Sequence, residues 1–365
     1  MRRALALALG ALALFAARPG AAAGPPDEPG PFEQVRPGGA IAFPADEGAH
    51  PAFRTEWWYV TGWLEDASGA PLGFQVTFFR NRPGLAEDNP SAFAARELLI
   101  AHAALSDPAL GHARHAERIA REGFGLAQAA LGRTAVSIRD WRLEATGDAL
   151  EAHVAGEDFA LELTLARSAP PMPNGQQGYS QKGPAATSAS WYYSLPQLAV
   201  SGSVREAHGA ARPVTGRAWL DHEWSSAYLD QDSVGWDWVG LNLADGGALM
   251  AFRIRDRDGR QRFAGGTRRA PDGRTHVLAP GEIAFTATGR WRSPRTGIDW
   301  PVVFTVQAGL ERWQLTPLLK DQESDSRLTT GTVYWEGAVR AAEAGGARGR
   351  GYLELTGYGA PLRLH

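Results

Sequence analysis

Trp57-Trp58-Tyr59-Val60-Thr61-Gly62-Trp63-Leu64-Glu65-Asp66, a turn through Ala67-Ser68-Gly69, then Leu72-Gly73-Phe74-Gln75-Val76-Thr77-Phe78-Phe79-Arg80 reads as a β-hairpin. Two runs rich in aromatic and β-branched residues flank a turn of small residues that ends on glycine. A second stretch has the same plan. Trp236-Asp237-Trp238-Val239-Gly240-Leu241-Asn242-Leu243-Ala244-Asp245 passes through Gly246-Gly247 into Leu249-Met250-Ala251-Phe252-Arg253-Ile254-Arg255. Both start on aromatics, turn at Asp and Gly, and return to an arginine. The echo predicts two copies of one barrel unit.

Outward from these hairpins the strand signals continue. Leu98–Leu105, Thr134–Leu143, Ala149–Val154 and Phe159–Leu165 are short runs separated by turn signals such as Thr146-Gly147-Asp148. Such spacing predicts an all-β chain, a sandwich or an antiparallel barrel. His112–Ala130 is expected to be the single helix. Residues 168–190 hold Pro170, Pro171, Pro173 and Pro184 with little apolar content, the composition of a lid, binding loop or linker. Glu206–Pro213 offers the domain divide. The expected organisation is therefore a leader at 1–23, a flexible segment at 24–40, and two domains at 41–208 and 209–365.

Composition narrows the function classes. Of 365 residues, 21% are charged and the formal net charge is −3, so electrostatics makes no case for nucleic acid or an anionic membrane. Thirteen Trp and 43 Gly suit twisted sheets with many turns. Cysteine is absent, which excludes disulfides, thiolate catalysis and Cys-based zinc sites. Arg2 and Arg3, the apolar run Ala4–Ala17 and the small residues Ala21-Ala22-Ala23 read as a cleavable export signal. The expected address is the periplasm or the medium.

Trp219-Leu220-Asp221-His222-Glu223-Trp224 is the sharpest chemical pattern. On a strand, side chains alternate between faces, so Trp219, Asp221 and Glu223 share one and Leu220, His222 and Trp224 the other. Two carboxylates beside an aromatic suit acid–base work if one is buried and holds its proton. A solvated outer face is the competing reading. Arg54, Glu56 and Trp58 share a face in the same way, and Arg54 is expected to neutralise Glu56. Tyr334, Glu336, Ala338 and Arg340 line one face of a later strand, and Tyr352, Glu354, Thr356 and Tyr358 line the next. His102 is expected to be a satisfied core histidine. No H-E-x-x-H, G-x-S-x-G, P-loop or dinucleotide motif occurs, so neither a metal nor a cofactor is expected.

Six segments together resemble the lipocalin-like family of carotenoid 1,2-hydratases and AttH-type exported proteins. They are Thr55–Gly62, Gly178-Tyr179-Ser180-Gln181-Lys182-Gly183, Ser190-Trp191-Tyr192-Tyr193-Ser194, Gly216–Trp224, Tyr334-Trp335-Glu336-Gly337 and Gly351–Tyr358. The resemblance implies two lipocalin-like barrels and an apolar, lipid- or isoprenoid-like ligand. In the hydratases an acid protonates a terminal double bond and water captures the cation. The catalytic Asp of that family falls on Asp221, with Trp219 as its aromatic partner and Glu223 or His222 to tune it. Trp236 and Trp238 add indole faces for a cation. Trp58, Glu56, Lys182, Tyr193, Tyr334, Glu336 and Glu354 complete the expected ligand contacts. Hydratases carry Tyr and Asn where this chain has Trp219 and Glu223, and its motifs lie closer to the AttH-type branch. Three functions follow: a cofactor-free hydro-lyase, a carrier handing cargo to an ABC export system, or a secreted hydrolase.

Overall fold

The structure, a computed structural model, describes residues 32–362 apart from 86, 208 and 347. The expected export signal at 1–23 lies outside the described residues. Among those described, no helix is long and apolar enough to cross a membrane.

The chain folds into two curled, antiparallel, barrel-like sheets, one of thirteen strands and one of ten. In the first sheet the order runs His112–Arg121, Leu98–Asp107, Pro71–Asn81, Thr55–Asp66, Arg212–Ala227, Ala189–Glu206 and Phe159–Ala166, then on through four further strands. In the second it runs Thr275–Leu278, Gln261–Arg269, Ala248–Asp256, Ser233–Leu243, Arg348–Leu355 and Thr332–Glu343, then three more. The two hairpins quoted first hold the same place, third and fourth from one edge of each sheet. By hydrogen-bonded pairing, the chain changes sheet after Ala227.

Burial follows from what covers each face. Phe159–Ala166 alternates buried and exposed along its later residues, because one side meets water. Thr55–Asp66 is buried almost throughout, because both sides are covered. Trp58, Val60 and Leu64 enter the core inside the first curl. Tyr59 and Trp63 enter a third core between the sheets, with Tyr192, Trp219, Trp238, Met250, Phe252 and Tyr352. That core is pinned by polar bonds. Trp63 Nε1 donates to Gly351 O at 3.0 Å, and Asn242 Nδ2 to Ala218 O at 3.0 Å. Gly240 has to be glycine here, since a Cβ would sit 2.6 Å from the Trp238 ring and 3.1 Å from that of Trp219.

Two expectations are corrected. His112–Arg121 is a strand paired in register with Leu98–Asp107, and Ala127–Ala129 is another, so there is no helix at 112–130. Cross-strand pairing overrides local helix preference, and Gly123 and Gly125 turn the chain at φ of 91° and 69°. Packing also begins before Ile41, because Val35 lies in the first core.

Candidate active site

The site is set by parity. Thr55–Asp66 and Arg212–Ala227 pair so that Trp57 faces Glu223, Trp58 faces His222 and Tyr59 faces Asp221. The odd-numbered residues of both strands look away from the first core, toward the second sheet. Ser233–Leu243 presents Trp236 and Trp238, while Thr332–Glu343 and Arg348–Leu355 set Glu336 opposite Glu354. Between the sheets these faces enclose a cavity of about 370 Å³. Asp221, Glu223, Lys182, Trp236, Trp238, Tyr334, Glu336 and Glu354, all expected from the sequence, line it. Trp57, Tyr59, Phe79, Ile100, Phe252 and Ile254 make the rest of its wall largely apolar.

Asp221 is buried and accepts three hydrogen bonds of 2.6 Å. Ser194 Oγ and Trp219 Nε1 donate to Oδ1, and Tyr192 OH donates to Oδ2. Burial pushes the carboxyl up from 3.8 to about 7; the three donors pull it down, and the nearby Glu223 charge pushes it up. Near neutrality Asp221 therefore holds a proton part of the time and can give it up. Tyr192 stays a phenol, its pKa raised well above 10.0 by burial and then by the charges of Asp221 and Glu223. Trp238 Nε1 donates to the Tyr192 oxygen at 3.0 Å, so the relay is oriented from both sides.

Glu223 sits in a different environment from its neighbour. Lys182 Nζ lies 2.9 Å from its Oε1, and Ser190 Oγ donates to the same oxygen at 2.5 Å. The proline-rich segment 168–190 thus reaches the cavity wall through Lys182. Its short strand Tyr179–Gln181 pairs onto Ala189–Glu206 and delivers the ammonium, which lies over the Phe252 ring at 4.2 Å and the Tyr192 ring at 4.7 Å.

The second sheet contributes two more acids. Burial lifts Glu354 from 4.5 to about 8, eased by a hydrogen bond from the Trp236 indole and reinforced by the Asp221 and Glu223 charges. Burial and then the Glu354 charge push Glu336 well above its usual range. At neutral pH Glu354 is therefore predominantly an acid rather than a carboxylate, able to donate a hydrogen bond into the cavity, and Glu336 is shifted in the same direction. Tyr59 Oη, Tyr228 Oη and Glu336 Oε2, on lining residues, are buried with no hydrogen-bond partner among the described residues. Buried polar groups are normally satisfied, so these three mark where water or a ligand hydroxyl fits.

The remaining expected residues lie elsewhere. His222, Glu56, Trp58 and Tyr193 face the other way, because they occupy the alternate positions of the same strands. His222 Nε2 and His50 Nδ1 contact Glu56 Oε1 at 2.8 and 2.7 Å, and Arg80 Nε donates to its Oε2 at 2.8 Å. Arg80, not Arg54, neutralises Glu56; Arg54 stacks over Phe32. Burial would raise the Glu56 pKa. The bonds from His222 and His50, and the charges of His222 and Arg80, instead hold it well below the carboxylate range. His50, Glu56 and His222 are also the one group, among the described residues, whose donor atoms converge within 4.8 Å as a metal would require. Arg80 and the two histidines already engage Glu56, so the trio closes on itself. Trp219 reaches Asp221 through its indole N–H, but its ring borders a separate groove. It positions the acid rather than walling the cavity. His102 is a bonded core histidine, with Thr329 Oγ1 at 2.9 Å and Tyr334 Oη as partners.

Sequence reading missed Tyr192 and Ser194, which hold Asp221, and took Tyr193 instead. The run Ser190–Ser194 shows the alternation. Which parity faces Asp221 depends on pairing with a strand some thirty residues away, Tyr192 opposite Glu223 and Ser194 opposite Asp221.

Comparison with known proteins agrees with this architecture. A family model described as AttH-like matches residues 34–358. A crystal structure of a protein described as an AttH, from Nitrosomonas europaea, is 49% identical. It covers 90% of this chain and 99% of its own, with a TM-score of 0.84. Kievitone hydratase from Nectria haematococca shares the fold at 14% identity, over 92% of this chain and 98% of its own, with a TM-score of 0.68. None of the curated proteins matches.

Proposed function

This chain belongs to the AttH-like family, and we propose that it adds water to, or removes it from, an apolar ligand held between its two sheets. The observation that carries this reading is Asp221: an acid that burial, against the pull of three donors, poises near neutrality, opening on an aromatic-walled cavity. Asp221 gives its proton to one carbon of a double bond. The cation left on the neighbouring carbon faces the indoles of Trp57, Trp236 and Trp238, whose π-faces stabilise it. Water then bonds to that carbon, and its surplus proton returns to the Asp221 carboxylate. Tyr59, Tyr228 and Glu336 offer the polar atoms that would place that water. No cofactor enters these steps. The volume of about 370 Å³ suits a small molecule or the end of a longer isoprenoid chain. Kievitone hydratase lends its fold to the argument, and the transfer of its named chemistry is part of the proposal. Export by residues 1–23 belongs to it too, and fractionation of the native cells tests it.

Incubation with an acyclic polyene and with a prenylated phenol in ¹⁸O-water is the decisive assay. A product carrying one labelled oxygen is expected, lost in Asp221→Asn while ligand binding persists. Full turnover in that variant would sink the reading. The largely apolar wall, which binds without chemistry, favours a second function: a carrier passing its cargo to an export system. In a carrier Asp221→Asn shifts affinity alone, and no label is transferred by either protein.

A further inference from the structure

Between the same two sheets, away from the cavity, lies a larger groove of about 1150 Å³ that shares none of its lining residues. Five arginines border it, Arg217, Arg269, Arg340, Arg348 and Arg350, against two acids, Glu65 and Asp272. Both acids are already engaged. Glu65 Oε1 is 2.5 Å from Arg350, and Asp272 Oδ2 is 2.7 Å from Arg274. On a chain of net charge −3 this concentration of positive charge is local, not a consequence of composition.

Two features show that the charge is held in place at a cost. Arg269 is 3% exposed, yet no carboxylate among the described residues pairs with it; its guanidinium donates from Nη1 to Pro170 O at 2.9 Å. A buried guanidinium without a counter-charge is unfavourable, and burial accordingly pulls its pKa below the ordinary arginine value. Arg340 and Arg350, both exposed, are directly opposed across paired strands, an arrangement that disfavours a sheet and that Glu65 offsets at Arg350 alone. Arg340 has no carboxylate partner among the described residues. Both guanidiniums lie over the Trp63 ring, at 5.0 and 5.2 Å, which limits their motion and orders them before any ligand arrives.

We propose that this groove binds a small molecule through a dianionic phosphate group. Arg217, Arg269 and Arg340 border the groove from three different strands. A tetrahedral oxyanion accepts hydrogen bonds from several directions, whereas a carboxylate presents one plane. The indoles nearest the groove, Trp63 and Trp219, are buried, so neither offers an exposed platform for stacking nucleic-acid bases. The site is independent of the chemistry assigned to the cavity.

Calorimetric titration of the full chain at low salt tests the proposal, using inorganic phosphate, glycerol 3-phosphate and succinate. Saturable binding of glycerol 3-phosphate is expected, weakened by about tenfold or more in Arg269→Gln, the loss of one charge-assisted contact. Arg340→Gln carries the test if Arg269→Gln fails to fold. It is expected to weaken binding several-fold while raising the melting temperature of the ligand-free protein, because the opposed charges are relieved. If phosphate binds and glycerol 3-phosphate does not, the site takes the free ion, and the arginine chemistry stands. Three results overturn it: no saturable heat from either phosphate at ~10 mM, succinate binding as tightly as the phosphates, or affinities unchanged in both variants.

Discussion

Glu56 and Asp221 lie on neighbouring strands, both fully buried, and their proton affinities move in opposite directions. On one face Glu56 meets Arg80, His50 and His222, and is held well below the usual carboxylate range. On the other Asp221 meets hydroxyls and an indole, with no cation on its oxygens, and rises to about 7. Burial is the largest influence on both. What differs is whether a positive charge answers it, and hydrogen bonds from neutral donors do not suffice. Glu56 is thereby a structural anion, and Asp221 the acid to which we assign the proposed reaction.

The largest expected effect comes from removing the reactive member. Asp221→Asn should lower turnover in the ¹⁸O assay by about 10²–10⁴-fold, the usual worth of a positioned acid, in a protein that remains folded. Removing the cation from the structural side should do the reverse. Arg80→Met leaves Glu56 buried without its guanidinium and should cost about 3–5 kcal/mol by urea denaturation, with the cavity chemistry intact in whatever protein remains folded.

Stability against pH separates the two faces more finely. Asp221 is raised in the fold, so its contribution is fully present below about 3.8 and is lost as pH climbs through about 7. Glu56 is depressed, so its contribution is present above 4.5 and is lost as pH falls through its lowered folded value. Asp221→Asn should lessen the fall between those two limits, to which the raised Glu336 and Glu354 also contribute, and leave the acid limb. Glu56→Gln should blunt the acid limb and leave the fall. If both variants keep the wild-type profile, the contrast drawn between the two carboxyls is wrong.

The smallest change expected is in Trp219→Phe, which removes one of three donors and leaves the ring volume nearly filled. The pKa read from the pH–rate profile should move upward, with a loss of about 1 kcal/mol or less in stability. A downward movement would mean that the indole does not hold the ionised form.

The sequence alone was enough for the all-β class, the paired hairpins, and Asp221 and Glu223 on one face, because strand periodicity is a local property that runs of aromatic and β-branched residues display. It also placed Glu336 and Glu354 on faces of adjoining strands. It misread His112–Arg121 as helix, because pairing with Leu98–Asp107 is not local. It joined Tyr193, Trp58, Glu56 and His222 to the ligand site, because alternation says which residues share a face and not what that face meets. Pairing across more than a hundred residues decided that the odd side of Arg212–Ala227 closes on the second sheet and the even side on Arg80 and two histidines. A carboxyl takes its proton affinity from its neighbours in space, and those neighbours come from strands far apart in the chain.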